Sequence, residues 1–286
     1  MFKTIDEVEK LFTDEIERVL RENRRIELEW KDGSELDLSS NIAMKYRDSG
    51  ETAEQLASEI SAELLMLERV ETSEAGHLNM TMNREWESIF LNLFENRGLD
   101  ICEKTGGKLF LNPISASEAR VASYRKAMET ICALRGVMIK FGPDGEDVRL
   151  GDMEDADGLP EEILDIAGIS RSNKADITLS GIKLSNDMKN PHFRWSYIDY
   201  RLESVEQILE AQGIVSTEKL DLKKSGIWRL MLQKLKLKVA IDEAIRFRDP
   251  FKYYAWIEEY LESFYSLEIT RETFVPKVAR ALKIKL

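Results

Sequence analysis

Histidine and cysteine are nearly missing from this chain, with two of each in 286 residues. His77 and His192 give a histidine-based zinc site or a Ser-His-Asp triad little to work with. Cys102 and Cys132 have no CxxC spacing, so neither a disulfide framework nor a cysteine metal site is expected; both read as buried thiols in helices. No apolar run is long enough to cross a bilayer, and no basic-then-apolar leader follows Met1, so the expectation is a soluble, cytoplasmic protein with no membrane partner. Positive charge is also short: 41 Lys and Arg face 53 Asp and Glu, a net of −12. That balance is awkward for nucleic-acid binding, because phosphate contacts need cations.

The charge is uneven, however. Residues 216–286 hold 15 Lys and Arg against 10 Asp and Glu, a net of +5, while the other 215 residues carry 26 against 43, a net of −17. The pattern is a basic module on an acidic body, though a charge run can equally just solvate a face, and the acidic body can equally mark a protein-binding surface. With 43% hydrophobic residues the chain has ample core for two or three domains.

Apolar spacing predicts a first helix over 4–22, with Phe2, Ile5, Val8, Leu11, Phe12, Ile16, Val19 and Leu20 in one stripe. A short strand follows at 26–30, and Asp37, Ser39 and Ser40 offer N-cap chemistry for a helix at 42–46. Thr52 opens the next helix, and 70–82 reads as an edge strand broken at Gly76. A helix over 84–96 ends at Gly98. Strand 108–111, a helix from Ser117 to Arg135 and strand 137–141 form a β-α-β pattern of the kind that begins a doubly wound sheet. Residues 142–160 are acidic and turn-rich and read as a solvated loop; carboxylates there are conceivable divalent-ion ligands, but EF-hand spacing is absent. A short helix at 161–166 and a strand at 176–179 follow. The stretch 191–209, PHFRWSYIDYRLESVEQIL, is helical by period and crowds two Tyr, a Trp and two Arg into its first turns. Such residues stack on bases and bind phosphate, but an aromatic stripe at helical spacing is also what packs on a core. Helices over 228–245, 249–266 and 274–286 complete the chain.

These phrases resemble arginyl-tRNA synthetases at both ends. LDLSSNIAMKY, TAEQLASEISAELL and AGHLNMTM follow the order of that family's N-terminal additional domain, which touches the tRNA elbow. The resemblance places His77, where an aromatic is expected, and Asn79 on that contact. DITL, PHFRWSYIDYRLESVEQIL, DPFKYYAWIEEYLESFYS and the last helix keep the register of the DALR-type anticodon-binding bundle, with Tyr197 and Arg201 on the family's Tyr and Arg. Between them, ARVASYRKAMETICALRGV fits the helix after the family's HxGH motif, with Arg120 and Gly136 in the expected places. The motif itself is replaced by Ser115-Ala116-Ser117-Glu118, and no KMSKS-type loop is found; Lys183-Leu184-Ser185 stands too close to Pro191.

The resemblance implies an α+β chain in three parts. Residues 1–83 correspond to the small α/β additional domain, 84–190 to a reduced α/β remnant of a class I catalytic core, and 191–286 to an all-α DALR-type helical bundle. It is similar to the archaeal ArgS-related anticodon-binding proteins, which implies a non-catalytic tRNA-binding protein of translation, without cofactor or metal. Its partner would be tRNA, foremost tRNA(Arg), presented to a tRNA-modifying enzyme or a synthetase. Anticodon-side contacts fall to Tyr197, Tyr200, Arg201, Arg246, Arg248, Lys283 and Lys285, and elbow-side contacts to His77 and Asn79. Two alternatives stay open: an interaction or regulatory protein that kept the fold without tRNA binding, and a degenerate synthetase-like enzyme that still transfers an arginyl or adenylyl group.

Overall fold

The computed structural model describes residues 2–20, 26–31, 36–45, 52–180, 190–214, 222–223, 226–267 and 274–284. The chain mixes α and β, with three sheets and a helical C-terminal region. It divides into two compact units, each assembled from separated segments.

The first unit comprises Met1–Ile101, Leu209–Lys236 and Leu267–Leu282. It holds helices α1 (Ile5–Leu20), α2 (Ile42–Lys45), α3 (Ala53–Glu63), α4 (Glu85–Arg97), α8 (Ile227–Leu235) and α11 (Pro276–Leu282), and strands β1 (Leu28–Trp30), β2 (Leu38–Ser40), β3 (Leu67–Thr72) and β4 (Leu78–Met82). Of the expected stripe of α1, Ile5, Val8, Phe12, Ile16 and Val19 are buried, while Leu11 and Leu20 at its margin, and Phe2 ahead of the helix, are half-buried. Thr52 caps α3 in a reciprocal box, its hydroxyl accepting from Gln55 N while the Gln55 side chain accepts from Thr52 N at 2.8 Å.

The four strands run antiparallel in the order β1-β2-β4-β3. The expected single edge strand over 70–82 is therefore a hairpin whose second strand is interior. Gly76, at φ +83°, turns the chain back, and β4 gains β2 as a second neighbour. Asp37 does not cap α2. Its buried carboxylate accepts from Met82 N at 2.7 Å and from the Trp228 indole at 2.6 Å, tying the sheet to α8. Only Ser40 serves the α2 turn, accepting from Ile42 N. Around this tie, Trp86, Phe90 and Phe94 of α4 form an aromatic row, with Phe90 stacked 5.6 Å from Trp228.

The second unit comprises Cys102–Ile208, Leu237–Ser266 and Lys283–Leu286. Strands β5 (Lys108–Ile114), β6 (Met138–Phe141) and β7 (Glu146–Arg149) form a parallel sheet in the order β6-β5-β7, with α5 (Glu118–Arg135) connecting β5 to β6. The acidic stretch 142–160 is thus not a plain loop. Val148, Leu150 and Met153 bury themselves, and the segment supplies β7 and β8 (Met153–Glu154), the latter parallel to β9 (Ile177–Thr178). Gly145 lets the chain cross β5: a Cβ there would lie 2.6 Å from the Leu111 backbone. Helix α6 (Glu161–Ala167), the first eighteen residues of α7 (Pro191–Ala211), α9 (Leu237–Phe247) and α10 (Phe251–Tyr265) complete this unit. The helix expected over 228–245 breaks at Lys236, whose N–H turns to Gln233 O, separating α8 from α9. Cys102 lies outside any helix, while Cys132 is in α5; both are buried free thiols.

Helix α5 is the post of this unit. Ser117 caps its start and Gly136, in left-handed conformation, ends it. Its buried face, Arg120, Tyr124, Met128, Ile131, Cys132 and Arg135, has helical spacing but is polar at both ends. The Arg120 guanidinium is 1% exposed and donates to the carbonyls of Gly168, Arg171 and Ser172. Burial pulls its pKa down, against the opposing pull of Asp249 and Asp176. Gly168 is required there, since a Cβ would lie 2.4 Å from Ser123 Cβ. Tyr124 donates to Arg248 O at 2.9 Å, and Arg135 grips Asp242 through Nε and Nη2 at 2.8 and 3.2 Å. Replacing Arg120 by Met leaves three carbonyls without their donor. The Arg120→Met protein should lose about 2–4 kcal/mol of stability in urea unfolding, and Arg120→Lys should recover only part of it.

Candidate nucleic-acid interface

Helix α7 carries the aromatic-and-arginine stretch. Asn190 caps it, its side-chain oxygen accepting from His192 N and Phe193 N at 3.0 and 3.2 Å, and Pro191 sits at the first helical position. Trp195, Ile198 and Leu202 point into the core. Glu258 of α10 accepts from the Trp195 indole at 2.8 Å and pairs with Arg194, while the Tyr265 hydroxyl donates to Arg194 O. Burial pushes the phenols of Tyr254 and Tyr265 up to about 12, so both stay neutral donors at any physiological pH.

Against this packed side, Tyr197 is half-buried, stacked 6.3 Å from Tyr265 and tilted against Phe193 at 5.5 Å. Arg201, also half-buried, lies 5.6 Å over the Phe264 ring. Tyr200 is different: its ring is 65% exposed. Lys283 lies against the acidic side of α7, 14% exposed, with its ammonium 2.9 Å from Glu206 and 3.7 Å from Glu203. Lys285 lies outside the described residues, as does Lys183-Leu184-Ser185.

The two arginines at the end of α9 separate in the same way. Arg246 is exposed, its guanidinium 4.3 Å over the exposed Phe247 ring, with Lys252 5.8 Å from that ring. Arg248 is pinned. It turns the chain at φ +57°, reaches Glu146 at 3.1 Å, and donates through Nη1 to Ile245 O and Arg246 O. Its own carbonyl accepts from Tyr124 and Asn173. Phe247 was not singled out by period, because its neighbours carry the charge; its place between two arginines was the available signal.

Of the two residues expected at an elbow contact, His77 closes the β3–β4 hairpin, its N–H donating to Ser73 Oγ at 3.0 Å. Asn79, on β4, accepts from Ser39 Oγ at 3.1 Å; both residues are half-buried. An open groove of about 720 Å³ between α3 and β3 is lined by Glu54, Ala57, Ser58, Ser61, Ala62 and Glu71.

A nucleotide-binding β-α-β unit leaves the N-terminus of its helix free for phosphate. At the start of α5 the chain supplies its own anion. Asp152 Oδ1 accepts from Ala116 N at 3.1 Å and from the Ser115 hydroxyl at 2.9 Å, and Ser117 N donates to Ser115 Oγ. Asp152 N in turn donates to Asp176 Oδ1, so two carboxylates and Glu118 occupy this end. Nothing in the local sequence marks Asp152, which comes from beyond β7. The buried Cys132 thiol is pushed up to about 11 by burial. Among the described residues no group of three or more His, Cys, Asp or Glu is placed to hold a metal ion, and no helix is long and apolar enough to cross a membrane.

With that geometry described, the chain can be set beside known proteins. Among solved structures it is similar to the arginyl-tRNA synthetase of Thermus thermophilus, with 13% identity over 88% of this chain and 38% of that one, at a TM-score of 0.31. It is also similar to the arginyl-tRNA synthetase of Plasmodium falciparum, with 9% identity over 96% of this chain and 46% of that one, at a TM-score of 0.34. The likeness is distant and extends over most of this chain, which spans less than half the length of either synthetase. No family model and no curated protein matches it.

The geometry sorts the two α9 arginines by role. Arg246→Ala should leave stability within about 0.5 kcal/mol of the parent, whereas Arg248→Ala, which loses the Glu146 pair and two carbonyl contacts, should cost about 1–2 kcal/mol in thermal or urea unfolding.

Proposed function

We propose that this chain is a non-catalytic tRNA-binding protein that presents tRNA(Arg) to another enzyme of modification or aminoacylation. In this reading residues 1–83 serve the elbow, 84–190 are a reduced core, and 191–286 serve the anticodon loop. The observation that carries it is on α7. Tyr200, 65% exposed on a helix whose Trp195 is buried and whose Phe193 and Tyr197 are half-buried against other rings, offers a stacking surface for an unpaired base. Arg201 beside it and the exposed Arg246 supply cations for phosphate. The self-filled start of α5 supports a core that does not activate an amino acid, since the developing charge on an ATP phosphate would meet Asp152 and Glu118.

The packing of Arg248 against Glu146 and of Lys283 against Glu206 favours a second reading, in which the chain binds protein and the cations near the helices serve folding. Filter binding separates the two. Purified protein should bind tRNA(Arg) with an affinity that falls steeply between 50 and 200 mM salt, as expected when several phosphates are neutralised. Tyr200→Ala should weaken it by about tenfold with the salt slope unchanged. Arg246→Gln should reduce the slope by about 0.7–0.9. Binding that ignores salt, or none at 50 mM, contradicts the proposal, and arginine-dependent pyrophosphate exchange by the pure protein contradicts its non-catalytic part.

A further inference from the structure

Among the described residues, the β6-β5-β7 sheet of the second unit is covered on one face only. Leu111, Pro113 and Val148 are buried toward α5, and Arg125 of α5 lies 5.5 Å over the Phe141 ring on that side. Residues paired in register share a face. The opposite face therefore carries Lys108 and Met138, Phe110 and Lys140, Asn112 and Asp147, and Ile114 and Arg149 as cross-strand pairs. Its apolar members stay open: Phe110 and Ile114 are 44% exposed and Met138 is 54% exposed. Parallel sheets are ordinarily buried on both faces, so this arrangement leaves a face that a ligand can complete.

The charge on that face says what kind. Lys108, Lys140 and Arg149 are exposed, and none of the three forms an ion pair among the described residues. Lys126, Arg135, Arg194, Arg248 and Lys283 of the same unit are each matched to a carboxylate, so the three join Arg201 and Arg246 as cations with no ion pair among the described residues. Phe110 lies directly beside Lys140 and one strand position pair from Lys108. Its ring is seated on the β6–β7 turn, where a Cβ on Gly142 would lie 3.4 Å from the ring edge. The one carboxylate of the face, Asp147, accepts from Asn112 Nδ2 at 2.9 Å and biases an anionic ligand toward the β6 half.

We infer that this face is a binding site for a short single-stranded segment of RNA, one base stacking on Phe110 beside Met138 and its phosphates meeting Lys108 and Lys140. An exposed aromatic set among unpaired cations on a sheet is the chemistry that holds a splayed base without reading its sequence. A second copy of the chain fits poorly, since the same three cations would face one another. The site is separate from α7 and does not depend on the tRNA reading.

The test uses the full-length protein, a fluorescein-labelled eight-residue oligouridylate and fluorescence anisotropy at 50 and 200 mM salt. Phe110→Ala should weaken binding about tenfold while Phe110→Trp keeps it within about threefold. Lys140→Gln should flatten the log–log salt slope by about 0.7. Tyr200→Ala should leave oligouridylate binding unchanged. Anisotropy that does not respond to Phe110→Ala and Lys140→Gln, with both variants shown folded by circular dichroism, overturns the inference. So does concentration-dependent dimerisation in sedimentation that Phe110→Lys abolishes, because the face would then belong to a second copy. Oligouridylate binding that ignores Phe110→Ala, with tRNA binding lost in Tyr200→Ala, removes this site and leaves the proposed function standing.

Discussion

A buried guanidinium governs the second unit. Arg120 has surrendered its water to three carbonyls at and beyond the end of α6, and its charge is offset at a distance by Asp176 and Asp249. Asp249 meets the same constraint from the other side: burial raises its pKa, while Phe251 N, Asn173 N and Arg120 hold it down. Removing either charge leaves the other in a poor solvent, so α5, the 168–173 turn and the α9–α10 corner are fixed together. Tyr124 and Asn173 close the same knot by donating to Arg248 O. A knot of this kind selects one arrangement of helices more than it adds net stability.

The knot decides what is left for binding. It consumes Arg248, as the α7–α10 packing consumes Arg194 and most of Tyr197, and as Glu206 consumes Lys283. Asp152 likewise fills the start of α5. Among the described residues, the outward rings and cations include Tyr200 on α7, Arg246 with Phe247 at the end of α9, and the open sheet face around Phe110. In the proposed reading, recognition in this unit would rest on a few exposed rings flanked by cations and not on the bulk charge of the C-terminal region.

Much of the fold was legible because local signals and burial agree. Ser117 to Gly136 is bounded by an N-cap and a left-handed glycine, and Thr52 with Gln55 announces α3. Legibility failed where partners lie far along the chain. Asp37 has the residue type of a cap, but Trp228 and Met82 claim it from 191 and 45 residues away. The acidic run 142–160 reads as loop, since the Gly145 crossing and the short pairing of β7 and β8 leave no period to count. The candidate site shows the same limit. Sequence placed Tyr197, Tyr200 and Arg201 on one helix, yet only packing against Phe264 and Tyr265 distinguishes the exposed ring from the committed ones. Arg246 and Arg248 are two residues apart and alike in charge, and only Glu146 tells them apart.

The most direct measurement is ultraviolet cross-linking of the purified protein to tRNA(Arg), with the adducts mapped by mass spectrometry. Adducts are expected on the peptides bearing Tyr200, Phe247 and Phe110, and none on the peptide spanning Ser115 to Arg120. Adducts concentrated on 115–120, or a protein that cross-links nowhere on those outward rings, would contradict the account.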